Sequence, residues 1–476
     1  MVQPAAMTVI TRLLLAAAIV LPAGCAHFHS QPLSPAQTAA ELEARSLTNN
    51  ALKVYLEKNL AREFTAWPPP RWDFAALTFA AFYYHPDLAV ARADWHVAEA
   101  GVKTAGGRPN PTLTVAPGYN SSSPTPTPWL AVVNLDVPIE TAGKRGHRIA
   151  TAEQLSTSAR LHIATVAWQV RSALRNSLLD FAAAEQREDW LQKQSLLQQE
   201  IVKLLEQQVQ AGAISSSEAV RQRVVLQKLQ LDFTDAQRQH TEVRARVAES
   251  IGVPASALDG IQLPTGSSSR LVPAEDLLSM EARRAALQSR ADILGSLADY
   301  AAAEAALQTE IAKQYPDLHV NPGFEFDDGE SKWSLGVSVE LPILNQNQGP
   351  IAEARAKREQ AAARFNALQA KVLADIERAV EVYHVSEKNA DTLKSLADAQ
   401  VKQRDSVQAQ FNAGAVDRSE LLNAQFEYAG AQLVQLDGNL KLEQAVADLE
   451  DAVQRPFESW PALERGQTAQ AKSVKP

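Results

Sequence analysis

Two glutamates, Glu218 and Glu420, stand 202 positions apart in nearly the same wording, "QAGAISSSEAVRQ" (210–222) and "NAGAVDRSELLNA" (412–424). Three places before each carboxylate is a helix-capping residue type, Ser215 in the first stretch and Asp417 in the second. S-x-x-E and its aspartate variant can form a capping box, in which side chains take up the free backbone N–H groups where a helix starts. Gly212 and Gly414, just before, are the residue type that ends a helix in left-handed geometry. The chemistry on offer is that of a helix reversal with a carboxylate at its tip. Other candidates are sparse. Of nine histidines only His27 and His29 are close together, and no H-x-x-x-H pair occurs, so no built metal site is legible. No Ser/His/Asp, Cys/His or phosphate-loop arrangement appears, which argues against an enzyme. "TAGKRGHR" (141–148) gathers Lys144, Arg145, His147 and Arg148 where a strand meets a helix. Cations are unfavourable at a helix N-terminus, so the cluster hints at a local acidic partner.

The single cysteine, Cys25, rules out an intrachain disulfide framework. It closes "TRLLLAAAIVLPAGCA", in which Arg12 precedes an apolar run from Leu13 to Leu21 and then small residues. That is the order of a secretory signal, expected over 1–24, and the run is too short to span a bilayer as a helix. A cysteine straight after the small residues resembles a bacterial lipobox, although Pro22 stands where leucine is usual. The resemblance implies a lipid on Cys25 and no other cofactor, with Ala26 favouring outer-membrane sorting. No other stretch approaches the ~18 to 20 apolar residues of a membrane helix. A membrane crossing would then have to be a β-barrel.

These residues are positioned by a duplicated unit. "HPDLAVARADWHVAEAGVKTAGGRPNPTLTVAPGY" (85–119) is echoed by "RADILGSLADYAAAEAALQTEIAKQYPDLHVNPGF" (290–324), aligning Asp87 with Asp292 and Pro117-Gly118 with Pro322-Gly323. "LDVPI" (135–139) matches "VELPI" (339–343). Two copies are expected over 72–264 and 273–460, joined by a loop-like linker at 265–272 and followed by a tail at 461–476. Residues 25–71 form a lipidated N-terminal segment in this reading.

Each copy reads as a helix (about 73–105 and 274–314), two strands, and a long helical hairpin. The strands are expected at 111–119 and 129–137, and at 316–326 and 333–341, with polar connections at 121–128 and 327–332. Trp333, Leu335, Val337, Val339 and Leu341 alternate with polar residues, as do Trp129, Ala131, Val133, Leu135 and Val137 with their neighbours. The hairpins are expected at 147–251 and 350–453. Neither Gly nor Pro occurs from His147 to Ala211 or from Ile351 to Ala413, which allows helices of roughly 100 Å. Narrow stripes such as Val166, Val170, Leu174, Leu178, Phe181 and Val372, Ile376, Val380, Tyr383 suggest coiled-coil packing. The fold class is mainly α with a small β part. Four strands per chain cannot close a barrel, about eight close a filled one, and twelve from three chains leave a channel. With a net charge of −9, the chain has no basic footprint for nucleic acid.

A duplicated helix, β-hairpin and long helical hairpin behind a lipobox resembles the TolC family of outer-membrane efflux proteins. The wording that carries this is "NPTLTVAPGY", "VPIETAGKRGHRIATAE" (137–153), "AGAISSSEAV" and "AGAVDRSELL", and the resemblance covers about 72–460. It implies a homotrimer whose strands form a twelve-stranded barrel in outer-membrane lipid, continued by a periplasmic α-helical barrel. It also implies partners: a periplasmic adaptor (membrane fusion) protein and an inner-membrane RND-type pump. The "PIETAGKR" wording is closest to members that serve heavy-metal cation pumps.

The resemblance places both reversals at the periplasmic tip, where three copies of Glu420 would ring the mouth and repel one another. A well-known member has aspartate at the position of Glu420 and again three residues on, where this chain has Asn423. Asp417 and Arg418 become candidates for gate or adaptor contacts, with Glu218 at the sister tip. Ser215, Ser216 and Ser217 stand where the second copy has Asp417, Arg418 and Ser419, so the two tips should differ. The leading expectation is a passive exit duct. A non-pore coiled-coil lipoprotein is the alternative, opposed by the alternation at 333–341.

Overall fold

The computed structural model describes residues 28–121, 128–264 and 280–456. The expected signal at 1–24, Cys25, and the expected linker at 265–272 and tail at 461–476 lie outside the described residues. The chain divides into two units, up to Arg45 and from Ser46 onward. In the first, α1 (Pro35–Glu43) starts with proline at its first turn, is capped by Ser34, and has no buried residue.

The second unit begins with α2 (Asn50–Leu60) and α3 (Phe74–Tyr84), capped by Asn49 and Asp73. The single helix expected over 73–105 is two. His85 is extended (φ −64°, ψ 127°) because Pro86 follows it, and α4 (Pro86–Ala105) starts afresh on that proline. The counterpart in the second copy is likewise divided, into α7 (Met280–Ser289) and α8 (Ala291–Ala312), at an extended Arg290. There no proline intervenes. The guanidinium of Arg290 instead bonds the Asp292 carboxylate and the Ala452 carbonyl.

The long helices are α5 (Lys144–Gln210) and α9 (Gln348–Asn412), with return helices α6 (Ser216–Ile251) and α10 (Arg418–Val453). Both long helices start earlier than expected. Left-handed residues, Gly143 and Asn347, launch them, so Gly146, Gly349 and Pro350 fall inside the first turn. Proline is tolerated there because its missing N–H would have had no intrahelical partner. At 67 and 65 residues, α5 and α9 are each roughly 100 Å long.

The predicted stripes are buried. Val166, Val170, Leu174, Leu178 and Phe181 pack with Val247 and Ile251 of α6, and with Leu47, Leu52, Leu56 and Trp72, which precede α3. Val372, Ile376, Val380 and Tyr383 form a second cluster with Ile293, Val446 and Leu449. Each fully buried side chain of this kind contributes about 1.5–3 kcal/mol.

The strands β1 (Thr112–Tyr119), β2 (Trp129–Ile139), β3 (Leu318–Asp327) and β4 (Glu330–Val339) make one antiparallel sheet in that order. β4 begins three residues before the expected 333 and ends before Leu341. The expected polar loop at 327–332 shrinks to two residues, Asp328 (φ +51°) and Gly329 (φ +84°). Two positive φ angles in succession suit the twist of a tight hairpin, so pairing continues from Asp327↔Glu330.

Candidate functional site

The register sorts the sheet by face. Leu113, Val115 and Tyr119 stand opposite Leu135, Val133 and Trp129; Val133 and Val137 stand opposite Phe324 and Val320; Val320, Pro322 and Phe324 stand opposite Val337, Leu335 and Trp333. That face is apolar and open, with Trp333 82% and Leu335 73% exposed. The other face carries Asn134, Asp136, His319, Asn321, Glu325, Lys332, Ser334 and Ser338, with Leu130 and Val132 of β2 toward its hairpin end. Tyr119, Trp129, Phe324 and Trp333 cluster near the hairpin ends, with ring centroids 5.0 Å and 4.9 Å apart in the two pairs. Among the described residues β1 pairs only with β2 and β4 only with β3, so both sheet edges are open there.

At the far end of the long helices, both reversals use the expected glycines. Gly212 (φ +71°) and Gly414 (φ +75°) turn the chain, and the next N–H reaches back five residues, Ala213 to Gln208 and Ala415 to Gln410. The caps then diverge. Asp417 Oδ1 accepts the Glu420 N–H at 2.9 Å, as expected. The reciprocal half of the capping box, expected of both glutamates, forms at neither tip. Ser215 Oγ accepts from the Ser217 N–H at 3.3 Å, and the Glu218 carboxylate turns instead to Arg221, whose charge outbids a neutral N–H. That hydrogen bond holds the Glu218 carboxyl below the usual range. Arg418 reaches across to α5, its Nη2 2.6 Å from Glu200 Oε2. Glu420 and Asn423 are exposed. Among the described residues the Glu420 carboxylate has no ion pair or hydrogen bond, and none links it to Glu218.

The basic cluster finds its acidic partners where strands meet helices. Lys144 Nζ lies 2.7 Å from Asp317 Oδ1, which also accepts the Thr141 N–H at 2.9 Å. Burial raises the Asp317 carboxyl, but these bonds outweigh it and leave it lowered. Arg148 pairs with Glu140, whose carboxyl this bond lowers. Arg145 donates to the Gly106 carbonyl at 2.8 Å, beside the end of α4. On the polar face nearby, His319 Nδ1 sits 3.0 Å from Asp136 Oδ1.

Sequence reasoning missed the seam between α5 and α10. Arg171 and Arg175 converge on Glu450, with Arg171 2% and Glu450 0% exposed. Trp168 Nε1 donates to Asp451 Oδ1 at 2.9 Å, and Ser172 bonds the same carboxylate. Burial pushes the Asp451 carboxyl up to about 6. Further along are Gln444 on Asp180 at 2.9 Å, Arg187 on Asp437, Trp190 against Tyr428, and Arg418 on Glu200. The i, i+4 spacing of Arg171 and Arg175 beside the apolar stripe is the only signal in the sequence, and it does not name a partner 275 or more positions away.

No group of three or more His, Cys, Asp or Glu among the described residues is placed to hold a metal. No described helix is long and apolar enough to cross a membrane.

The sequence profile described as "Outer membrane efflux protein" matches residues 81–253 and 282–453. The cobalt-zinc-cadmium resistance protein CzcC of Cupriavidus metallidurans is 26% identical over 357 residues, covering 74% of this chain and 82% of that protein. The fold is similar to that of CusC, from structures concerned with transmembrane channel formation, with a TM-score of 0.65, 17% identity, and coverage of 80% of this chain and 92% of that one. It is also similar to the outer-membrane channel OprN, with a TM-score of 0.68, 16% identity, and coverage of 90% and 98%.

Proposed function

The chain belongs to the outer membrane efflux protein family, and from that premise we propose that three copies form the passive exit duct of a tripartite efflux pump. The sheet carries this reading. One face is apolar, the other carries most of the polar side chains, and among the described residues both edges are unpaired. A sheet with such faces suits lipid on one side and water on the other, and its strands of 8 to 11 residues suit the ~9–11 of a membrane barrel. Four strands per copy make twelve from three copies, enough for a water-filled lumen. The lipid side is then the face of Trp333 and Leu335, and the lumen side that of Asp136 and His319. Exposed Val220, Val224 and Leu231 on α6 supply an apolar stripe for packing between copies.

In this assembly α5, α6, α9 and α10 continue the barrel as a helical tunnel into the periplasm. Their tips meet an adaptor protein, and an inner-membrane pump of the RND type supplies the energy. The likeness to a cobalt-zinc-cadmium resistance protein supports divalent transition-metal cations as cargo. Lipid on Cys25 would add an anchor in the outer membrane.

Two measurements test the assembly. The mass of the native detergent-solubilised complex should be that of three chains; a stable monomer would sink the barrel. The same material in planar bilayers should give single-channel currents.

A further inference from the structure

We propose that His319, oriented by Asp136, is a transient coordination site for the exported divalent cation at the base of the barrel lumen. This rests on the duct reading above.

His319 and Asp136 alternate with the lipid-side residues Leu318, Leu135 and Val137, so both face the lumen. The imidazole Nδ1 is 3.0 Å and 3.1 Å from the two carboxylate oxygens of Asp136. A carboxylate only accepts, so Nδ1 carries the proton and donates it. The Nε2 lone pair is thereby left for another partner, and the described residues provide none. The ring is 37% exposed. This is the arrangement by which a carboxylate fixes the tautomer of a zinc-ligating histidine and makes its free nitrogen a better donor.

A second observation gives the cation room. His319 lines a cavity of about 210 Å³ with Asp317, Glu340, Asn345, Asn347 and Lys144. Of the two lysines that line it, Lys144 is held by Asp317 and Lys313 by Glu310, so both cations are already matched. Glu340 is exposed and has no partner among the described residues, leaving its carboxylate to join the imidazole. One nitrogen, one carboxylate and water suit a borderline-soft cation such as Zn²⁺ better than Mg²⁺, which takes oxygen ligands. The set falls short of a storage site. A duct needs binding strong enough to admit an ion and weak enough to release it. Three copies would place three such pairs around the boundary between barrel and tunnel.

The test uses the full-length complex in planar bilayers, with potassium carrying the current and zinc or magnesium added in steps. Wild type should be blocked by zinc at a concentration about tenfold or more below that for His319→Gln, with Asp136→Asn also weakened, as loss of a ligand's carboxylate partner predicts. Magnesium block should not change. Equal zinc block in wild type and His319→Gln, or a parallel shift for both metals, overturns the site and leaves the duct standing. Absence of any current in wild type counts against the duct instead. Zinc titration of the same detergent-solubilised proteins then decides the site: His319→Gln should take up one equivalent per chain less, and equal uptake overturns it.

Discussion

Arg171 Nη2 lies 2.9 Å from Glu450 Oε1, a contact that fastens the long helix of the first copy to the return helix of the second. Arg175 binds the same carboxylate, and the rings of Phe74 and Trp168 lie 5.2 Å and 4.8 Å from the Arg171 guanidinium. Breaking such a buried group on one side strands the remaining charges. Glu450→Ala should therefore destabilise the fold by about 3–5 kcal/mol, whereas replacing all three charged residues by apolar ones of similar volume should be near neutral. Thermal unfolding of the detergent-solubilised protein measures both. A mild loss in Glu450→Ala would show that the seam is held by its apolar neighbours.

Asp451 titrates in the opposite sense to a paired surface carboxylate. Burial raises it from 3.8 to about 6, against the hydrogen bond from Trp168. The folded state then holds the proton more tightly than the unfolded one, so stability is greatest below pH ~4 for this group and falls as pH rises through about 6. The loss is at most about 3 kcal/mol, at about 1.4 kcal/mol per pH unit. Asp451→Asn does not titrate. Its melting temperature relative to wild type should therefore rise between pH 4 and pH 7.5, and a constant difference would contradict the assignment.

The two faces of β4 should respond differently to charge. Leu335→Arg puts a cation on the face assigned to lipid, which costs about 2–4 kcal/mol near the bilayer midplane. Ser334→Arg puts the same side chain on the face assigned to the lumen. Trimer recovered from outer-membrane fractions should fall for the first and hold for the second. The reverse ranking would invert the barrel.

Capping and gating can be separated at the second tip. Asp417 accepts the backbone N–H of Glu420, not its carboxylate. Asp417→Ala should weaken the start of α10 by about 1 kcal/mol, read as faster amide exchange there. Glu420→Ala should leave that exchange unchanged and raise leak conductance or alter cation block. If conductance and efflux are both unaffected, Glu420 has no part in the gate.

The local chemistry of the reversals was legible because it is local. Gly212, Gly414 and the Asp417 cap depend on residues within a few positions, and glycine is the type that takes positive φ without strain. The reciprocal half of the box is not legible in the wording: Glu218 turns to Arg221, one turn further on, and the Glu420 carboxylate has no partner among the described residues. The alternation around Trp333 marked the strands, but the wording of 327–332 looked like a loop, and only the pairing showed that Asp328 and Gly329 turn alone.

By itself the sequence determined the duplication, the long helices, the alternating strands and the two turning points, since each follows from spacing along the chain. The tertiary structure alone decided what spans the two copies: Arg171 and Arg175 on Glu450, Lys144 on Asp317, Arg418 on Glu200, and His319 beside Asp136. Each joins groups more than 170 positions apart. Charges along a helix face name no partner until packing removes water and brings one opposite charge within reach.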